Sequence, residues 1–372
     1  MEHICDSIFT AVKNGHEACL KTLIEGYSNI NINDVSESKY RNTPLHIAAH
    51  HGNDVCLKML IDAGANLDIT DISGGTPLHR AVFNGHDICV QMLIEAGANL
   101  SIITNLGWIP LHYAAFNGND AILRMLIVVS DNVDVINDRG WTALHYATFN
   151  GHSMCVKMLI DAGANLDITD ISGCTPLHRA IFNGHDICVQ MLVEAGATLD
   201  VIDDTEWVPL HYAAFNGNDA ILRMLINTGA DIDISNICDW TALHYAARNG
   251  HDVCIKTLIE AGGNINAVNN SGDTPLDIAA CHDFTICVIV IVNKIVSERP
   301  LRPSELRVIP QTTAVLGDVL RMTLRLHGRA EAAKIVAHLP VGARDTLRTT
   351  ALCLNRTIFP RDLIDSVLIE CL

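Results

Sequence analysis

A histidine, replaced once by aspartate, recurs every 33 residues along most of this 372-residue chain. Each one closes a short unit that begins Thr-Pro, Thr-Ala, Ile-Pro or Val-Pro and continues with Leu, as in Thr43-Pro44-Leu45-His46. The residues at this position are His46, His79, His112, His145, His178, His211, His244 and Asp277. A fixed period of this length means that one supersecondary unit is stacked on copies of itself. The sequence therefore predicts a repeat solenoid.

Residues 142–174 show what one repeat is built from. Thr142 is a natural helix N-cap, because its hydroxyl can accept a hydrogen bond from an unpaired backbone N–H, and the next position takes Pro in sister repeats. A short first helix ends at Asn150-Gly151, and apolar residues at three- and four-residue spacing predict a second helix from about residue 153 to residue 162. Gly163 stands where a left-handed C-cap is expected, and the stretch that follows predicts a hairpin finger.

These residues resemble ankyrin repeats, whose pattern is G-x-T-P-L-H-x-A-A-x-x-G-H followed by a second helix and a G-A turn. The units that match it start at Thr43, Thr76, Ile109, Thr142, Thr175, Val208, Thr241 and Thr274. Residues 1–37 keep Asn14-Gly15-His16 but lack the T-P-L-H unit, as an N-terminal capping repeat would. The resemblance implies an all-α solenoid of about nine repeats with β-hairpin fingers over residues 1–298, and a role in binding proteins.

The repeated histidines and cysteines are structural in this interpretation. In ankyrin repeats the T-P-L-H histidine resembles a residue that hydrogen-bonds the turn and the neighbouring repeat. Seven of the thirteen cysteines share one repeat position, where Ile122 and Ile221 substitute, so that position needs a small apolar side chain. Equivalent positions in adjacent repeats lie about 8–10 Å apart, too far for a disulfide or a shared metal. We expect free thiols in a reducing compartment, no metal and no cofactor.

Catalytic motifs are missing from the sequence. It contains no P-loop, no G-x-S-x-G, no H-E-x-x-H and no C-x-x-C. The chain is therefore predicted not to be an enzyme and to have no catalytic residues.

Aromatic residues concentrate at three repeat positions. All four tryptophans immediately precede the T-P-L-H unit, four tyrosines follow its histidine, and five phenylalanines come three residues after the tyrosine position. Packing between repeats is the alternative role for the tyrosines, whereas tryptophans near the finger tips are expected to be solvent-accessible, as in an interface hot spot. The predicted partner-binding residues are Trp108, Trp141, Trp207, Trp240, Phe83, Phe116, Phe149, Phe182, Phe215, Arg80 and Arg179.

A longer periodicity of 99 residues lies over the first. Residues 62–100 and 161–199 are nearly identical, as are Pro110–Ile127 and Pro209–Ile226. The middle of the array is thus a duplicated block of three repeats, which predicts that one surface pattern is presented twice.

Charge reverses where the period stops. Residues 1–298 contain 14 Lys and Arg against 35 Asp and Glu, whereas residues 299–372 contain 11 against 7. An acidic array repels phosphate backbones, which excludes the stacking of nucleobases on the aromatic rows. We expect a basic or amphipathic protein segment as partner, with neither nucleic acid nor membrane. The apolar stretches fall short of the roughly 18 residues that cross a bilayer, and no secretory pattern is present, so a cytoplasmic or nuclear location in a eukaryotic cell is expected.

The C-terminal segment predicts a second structural part. Prolines punctuate residues 299–303, which are predicted to form a linker, and residues 304–372 are predicted to form a small helical bundle. Its helices are predicted at Ala314–Leu326, Ala330–Leu339, Ala343–Asn355 and Arg361–Leu372.

The segment from Phe359 onward is similar to the opening of an F-box, whose pattern is Leu-Pro, an acidic residue, two apolar residues, then Ile-Leu and a final Leu. The matching residues are Pro360, Leu363, Ile364, Val367, Leu368 and Leu372, while Phe359 replaces the leading Leu. Ankyrin arrays with such an end resemble a group from large DNA viruses of poxviral and algal-virus type. The resemblance implies that this end docks on the Skp adaptor of a cullin-RING ubiquitin ligase while the repeats hold the target.

Two alternatives stay open for this function. A scaffold or inhibitor that sequesters a partner without any ligase would use the same aromatic rows. A SOCS-box adaptor is the other, although Leu347 and Cys353 lie two residues further apart than that pattern expects.

Overall fold

The computed structural model of the protein describes residues 7–26, 31–36, 40–309 and 313–339. The chain divides into two compact units, Met1–Thr198 and Leu199–Leu372. Every regular element in the described ranges is a helix, which confirms the predicted all-α class.

The first unit consists of two layers of helices. Its helices are α1 (Ile8–Lys13), α2 (Glu17–Gly26), α3 (Pro44–His51), α4 (Asp54–Asp62), α5 (Pro77–Asn84), α6 (Asp87–Glu95), α7 (Pro110–Asn117), α8 (Asp120–Val129), α9 (Ala143–Asn150), α10 (Ser153–Asp161), α11 (Pro176–Phe182) and α12 (Asp186–Glu194). The first helix of each repeat packs against the first helices of its neighbours, as α7 does against α5 and α9, and the second helices pack in a row of their own. One repeat therefore contributes one helix to each layer.

The second unit repeats this arrangement. Its helices are α13 (Pro209–Asn216), α14 (Asp219–Thr228), α15 (Ala242–Asn249), α16 (Asp252–Glu260), α17 (Pro275–Cys281), α18 (Thr285–Glu298), α19 (Pro303–Val308), α20 (Thr313–His327) and α21 (Arg329–His338). Helices α13, α15 and α17 form one row, and α14, α16 and α18 form the other.

Helix packing continues past the point where the sequence period stops. Helix α19 packs on α17 and α20 packs on α18, as successive repeats do. The non-helical stretch before α19 is held by an ion pair between Arg299 and Glu305, and Nε2 of His327 donates to the carbonyl oxygen of Val296 at 2.6 Å. Helices α20 and α21 lie where two helices were predicted, and the two further helices predicted over 343–355 and 361–372 lie outside the described residues.

The predicted β-hairpin fingers are wrong in one respect, because they form turns and not strands. We call the five residues before each T-P-L-H unit a finger turn, residues 71–75 in the clearest case. Asp71 N donates to the carbonyl oxygen of Gly75 at 2.9 Å, and the next finger turn is tied to this one through Asn105 N and Ser73 O, also at 2.9 Å. One bond between neighbouring turns is too few for a ladder, and in the described ranges the only isolated bridge joins Ser235 and Thr241.

The T-P-L-H histidine joins two repeats through one buried ring. Thr43 caps α3, and its backbone N–H donates to Nδ1 of His46 at 3.2 Å, so Nδ1 carries no proton. The opposite nitrogen, Nε2, carries the hydrogen and donates to the carbonyl oxygen of Gly75 at 3.0 Å. The ring thus completes the cap of its own repeat and holds the finger turn of the next one.

This bridge recurs along both units. The distances from Nε2 to the next finger turn are 3.1 Å for His79 to Trp108 O, 3.0 Å for His112 to Trp141 O, 3.2 Å for His145 to Cys174 O and 3.2 Å for His244 to Asp273 O. Asp277 keeps only the cap, since its carboxylate accepts from Thr274 N at 2.9 Å but has no N–H to donate onward. The geometry agrees with the structural role expected of the repeated histidines.

Burial sets the charge state of these rings. Desolvation lowers the pKa of six T-P-L-H histidines from 6.5, and their hydrogen bonds to backbone carbonyls offset this only in part; the six are His46, His79, His112, His145, His211 and His244. The pKa falls to about 4 for His79, His112, His145 and His211. They are therefore neutral at pH 7, as a ring that accepts at Nδ1 and donates at Nε2 must be.

The repeated cysteines line the buried side of the second helices. Cys56, Cys89, Cys155, Cys188, Cys254 and Cys287 are buried free thiols. Burial raises the pKa of Cys89, Cys188 and Cys287 to about 11, so these thiols are protonated and serve as small apolar side chains.

Acid is expected to destabilise the protein through the buried histidines. Because their pKa is lowered in the folded state, the unfolded chain binds more protons below pH 6.5, and stability is lost as the pH falls. The loss is about 2 kcal/mol for each histidine of pKa about 4 when the pH reaches 5. The urea midpoint, followed by circular dichroism, should drop steeply between pH 7 and pH 5 and change little between pH 7 and pH 8. A midpoint that is constant down to pH 5 would contradict neutral bridging histidines.

Candidate partner-binding site

Each finger turn is organised by the polar residue at its first position. Oδ1 of Asp170, for example, accepts backbone N–H bonds from Ser172 at 2.8 Å and from Cys174 at 3.1 Å. Hydrogen bonds from the backbone to a side chain of the same turn fix the conformation of the loop without a neighbouring strand. The residues at this position are Asp71, Thr104, Asn137, Asp170, Asp203, Asn236 and Asn269.

Arg80 and Arg179, predicted to bind a partner, are engaged inside their own repeats. Each guanidinium forms an ion pair with the buried carboxylate at the start of its finger turn, Arg80 with Asp71 and Arg179 with Asp170. Burial alone would raise the pKa of Asp71, but hydrogen bonds from Ser73 and Arg80 outweigh it and lower that pKa. The charge of both arginines is therefore neutralised within the fold.

Tyrosines occupy the same position in other repeats and bind the same finger-turn residue. Nδ2 of Asn137 donates to the hydroxyl of Tyr146 at 2.6 Å, and Asn236 donates to Tyr245 at 2.8 Å. The finger-turn residue thus contacts a side chain nine positions later, which is Arg for Asp71 and Asp170 and Tyr for Asn137, Asp203 and Asn236. Our sequence reasoning missed this pairing, although the constant spacing and matched chemistry are a signal that the sequence carries.

Six aromatic residues of the first unit form a cluster, which we call module A. Its members are Trp108, Tyr113, Phe116, Trp141, Tyr146 and Phe149. Tyr146 lies at the centre, and its ring centroid is 4.3 Å from that of Trp108 and 4.8 Å from that of Trp141. Trp108 also contacts Tyr113 at 4.6 Å and Phe116 at 5.7 Å between centroids. Because Trp108 and Tyr146 come from successive repeats, the cluster locks two finger turns together.

The tryptophans were expected to be solvent-accessible because they lie near the finger tips, but the structure shows that they are largely packed against other rings. Trp141 is only 9% exposed, while Trp108, Trp207 and Trp240 are half-buried. The indole rings turn back onto tyrosine and phenylalanine rings of the first helices, where they bury apolar area. The guanidinium carbon of Arg179 lies 5.0 Å from the ring centre of Trp141 and covers it further.

A matching cluster in the second unit is called module B. Its members are Trp207, Tyr212, Phe215, Trp240, Tyr245 and Arg248. Tyr245 is central, with centroid distances of 4.2 Å to Trp207 and 5.1 Å to Trp240. Arg248 takes the place of Phe149, and its guanidinium carbon lies 5.4 Å from the ring centre of Trp240.

Phenylalanines supply the exposed part of the aromatic surface. The exposed fraction is 49% for Phe83, 40% for Phe116, 53% for Phe182 and 38% for Phe215, while Phe149 is half-buried. Phe83 joins module A through Tyr113, at 5.7 Å between centroids. The exposed rings of Phe83, Phe116 and Phe215 therefore rest on packed tryptophan and tyrosine rings.

The predicted ligase-adaptor residues Pro360, Leu363, Ile364, Val367, Leu368 and Leu372 lie outside the described residues. In the described ranges, no group of three or more His, Cys, Asp or Glu side chains could hold a metal ion. None of the helices described is long and apolar enough to cross a membrane.

Comparison with known protein families gives one match. A family model described as ankyrin repeats in three copies matches residues 8–104, 101–170, 155–236 and 210–298. These overlapping matches cover the chain from α1 to α18. A comparison with curated proteins gives no match.

Trp141 and Phe116 both belong to module A but differ in burial, so replacing them with Ala should reduce the free energy of unfolding by different amounts. Trp141→Ala should destabilise the protein by about 3–5 kcal/mol, because it removes a buried indole from a packed cluster. Phe116→Ala should cost about 1 kcal/mol or less, because much of that ring is already in water. Urea denaturation followed by circular dichroism measures both. Equal losses for the two variants would show that the tryptophans are not the framework of the cluster.

Proposed function

Because the chain belongs to the ankyrin-repeat family, we propose that it is a protein-binding adaptor whose modules A and B hold a target protein. Ankyrin repeats indicate a role in protein–protein interaction, and proteins of this kind are typically scaffolds without enzymatic activity. We place this target binding in the cytoplasm or the nucleus, because buried free thiols suit a reducing compartment.

One observation carries the proposal: exposed phenylalanine rings stand on a rigid aromatic framework. An exposed aromatic ring has unfavourable contact with water, and its burial against a partner is favourable. The rings beneath Phe116 and Phe215 are fixed by packing and by hydrogen bonds to the finger turns, so little conformational entropy is lost on binding. Aromatic residues held in this way are typical of binding hot spots.

Charge supports a basic or amphipathic target. The repeat array of residues 1–298 has 14 basic and 35 acidic side chains. The ion pairs of Arg80 and Arg179 with buried carboxylates each neutralise one charge of each sign, so the excess of acidic side chains is unchanged. A partner with Lys or Arg beside its apolar residues would be attracted, and like charge would repel acidic partners.

The Phe116→Ala and Phe215→Ala double variant is expected to lose its target while keeping its fold. Removing two hot-spot rings should weaken binding at least about tenfold. The control is Ile88→Ala with Ile187→Ala, which removes two exposed apolar side chains, more exposed than Phe116 and Phe215, from the second helices α6 and α12. Proteins that co-purify with each tagged chain are compared by quantitative mass spectrometry, and their affinity is then measured directly. Targets retained equally by both double variants would contradict binding through the modules.

We further propose that the C-terminal end recruits a cullin-RING ubiquitin ligase through its Skp adaptor, so that the bound target is ubiquitinated. The support is the F-box-like pattern of Pro360, Leu363, Ile364, Val367, Leu368 and Leu372, together with the reversal of charge after residue 298. A scaffold or inhibitor without a ligase, and a SOCS-box adaptor, are the alternatives to this proposal.

Deletion of residues 359–372 separates these functions. An adaptor should lose co-purification of the Skp adaptor and the cullin while it keeps its target, because the target-binding modules lie within residues 104–248. A second variant deletes no residues but replaces Ile364 and Leu368, two apolar members of the pattern, with Asp, and it should lose the same two proteins. Skp and cullin that persist in both variants would overturn ligase recruitment through this pattern. Loss of cullin with no Skp in the intact complex would favour the SOCS-box alternative.

A further inference from the structure

Modules A and B share one aromatic framework. Trp108 lies 4.3 Å from Tyr146 and 5.7 Å from Phe116, and the equivalent distances from Trp207 are 4.2 Å to Tyr245 and 5.5 Å to Phe215. The exposed fraction is also alike, 40% for Phe116 and 38% for Phe215. Two surfaces with the same ring geometry should accept the same kind of apolar anchor residue.

The finger turns beside these rings differ sharply in charge. In module A they have the sequences Thr-Asn-Leu-Gly-Trp at 104–108 and Asn-Asp-Arg-Gly-Trp at 137–141, so their charges cancel. In module B they are Asp-Asp-Thr-Glu-Trp at 203–207 and Asn-Ile-Cys-Asp-Trp at 236–240. Asp203 is buried against Tyr212, but Asp204, Glu206 and Asp239 are exposed. Even with Arg248 counted, the surface of module B is more acidic than that of module A.

Two of these carboxylates immediately precede the tryptophans. Glu206 comes directly before Trp207 and Asp239 directly before Trp240, at positions that Gly107 and Gly140 take in module A. Neither carboxylate forms an ion pair with any side chain in the part of the chain that the structure describes. Both therefore present their charge to solvent at the edge of the aromatic surface.

We propose that the chain binds two target segments at once, and that the two modules prefer segments of different charge. Module B takes a segment with Lys or Arg next to its apolar anchor, whereas module A takes an apolar anchor in a neutral context. This inference rests on the proposed function, in which both modules bind protein segments. A cation beside the anchor of module B would lie between exposed carboxylates and the tryptophan rings, and both attract it.

The backbone conformation at Glu206 and Asp239 allows both charges to be removed without disturbing the fold. Glu206 and Asp239 have φ angles of 58° and 57°, in the left-handed region that glycine occupies in sister repeats. Glu206→Gly with Asp239→Gly therefore removes both charges and relieves strain, so the double variant should be at least as stable as the native protein. Its control is Glu260→Gln with Glu298→Gln, which removes two exposed charges from α16 and α18, away from the finger turns.

The probe is a phage library of random short peptides selected on the full-length protein. Phe116→Ala is used to report module B, and Phe215→Ala is used to report module A. We expect peptides selected on Phe116→Ala to carry Lys or Arg beside an apolar anchor, and those selected on Phe215→Ala to show no such enrichment. For a synthetic copy of the first class, Glu206→Gly with Asp239→Gly should raise the Kd about fivefold at low salt, and high salt should abolish this difference. The Glu260→Gln and Glu298→Gln control should leave the Kd unchanged.

The outcomes separate this inference from the proposed function. Equal basic content in the two selections, or the same Kd for the finger-turn variant and its control, would overturn the charge difference while leaving target binding in place. Peptides of the two classes that compete for the native chain, so that one displaces the other, would overturn double occupancy. No peptide enrichment at all, or unchanged binding by Phe116→Ala with Phe215→Ala, would overturn the proposed function itself and this inference with it.

Discussion

Neighbouring repeats are joined by the hydrogen bonds of a buried histidine ring that recurs along the chain. A buried ring nitrogen without a partner is costly, so each T-P-L-H histidine has to satisfy both of its nitrogens at once. His79, for example, accepts from the helix cap of its own repeat and donates to the finger turn of the next, whereas His211 donates to Ile234 O, just before that turn. The regular spacing keeps the carbonyl of each bridged finger turn within hydrogen-bond reach, 29 residues after its histidine. At Asp277 the onward bond ends, and the stack continues through the packing of α19 on α17 and the ion pair of Arg299 with Glu305.

The same bonds position the aromatic surface. His79 donates to the carbonyl oxygen of Trp108 and His112 to that of Trp141, so the backbone that carries each tryptophan is fixed from the preceding repeat. Tyr146 then ties the two indoles together, and its hydroxyl is held by Asn137. The elements that stabilise the stack are thus the elements that keep the exposed phenylalanines in place. Binding and stability share one framework, which is why the accessible rings and the buried ones have to be changed separately to tell the two roles apart.

Local signals in the sequence predicted the helices well. Thr142, Asn150-Gly151 and Gly163 mark where helices begin and end, and the second helix expected from about residue 153 to 162 is Ser153–Asp161. Contacts between repeats were harder to predict. The burial of Trp141 depends on Tyr146 and on Arg179 from the following repeat, and the pairing of Arg80 with Asp71 depends on a turn whose shape the composition does not specify. The finger turns that the structure describes form no strands for a similar reason, because the single backbone bond between neighbouring turns is a contact between repeats.

The duplicated block indicates where such a fold can change. Residues that bridge repeats are the same in both copies, as with His112 and His211 or Tyr146 and Tyr245, because each contacts several neighbours and any replacement would leave one of them unsatisfied. The finger turns have diverged instead: Gly107 corresponds to Glu206, whose left-handed backbone costs about 1 kcal/mol in one exposed turn. That cost is local and leaves the helical layers untouched. A five-residue turn therefore meets both constraints: the side chain of its first residue and the carbonyl of its last are held by hydrogen bonds, while its middle residues are free to set the charge that a partner meets.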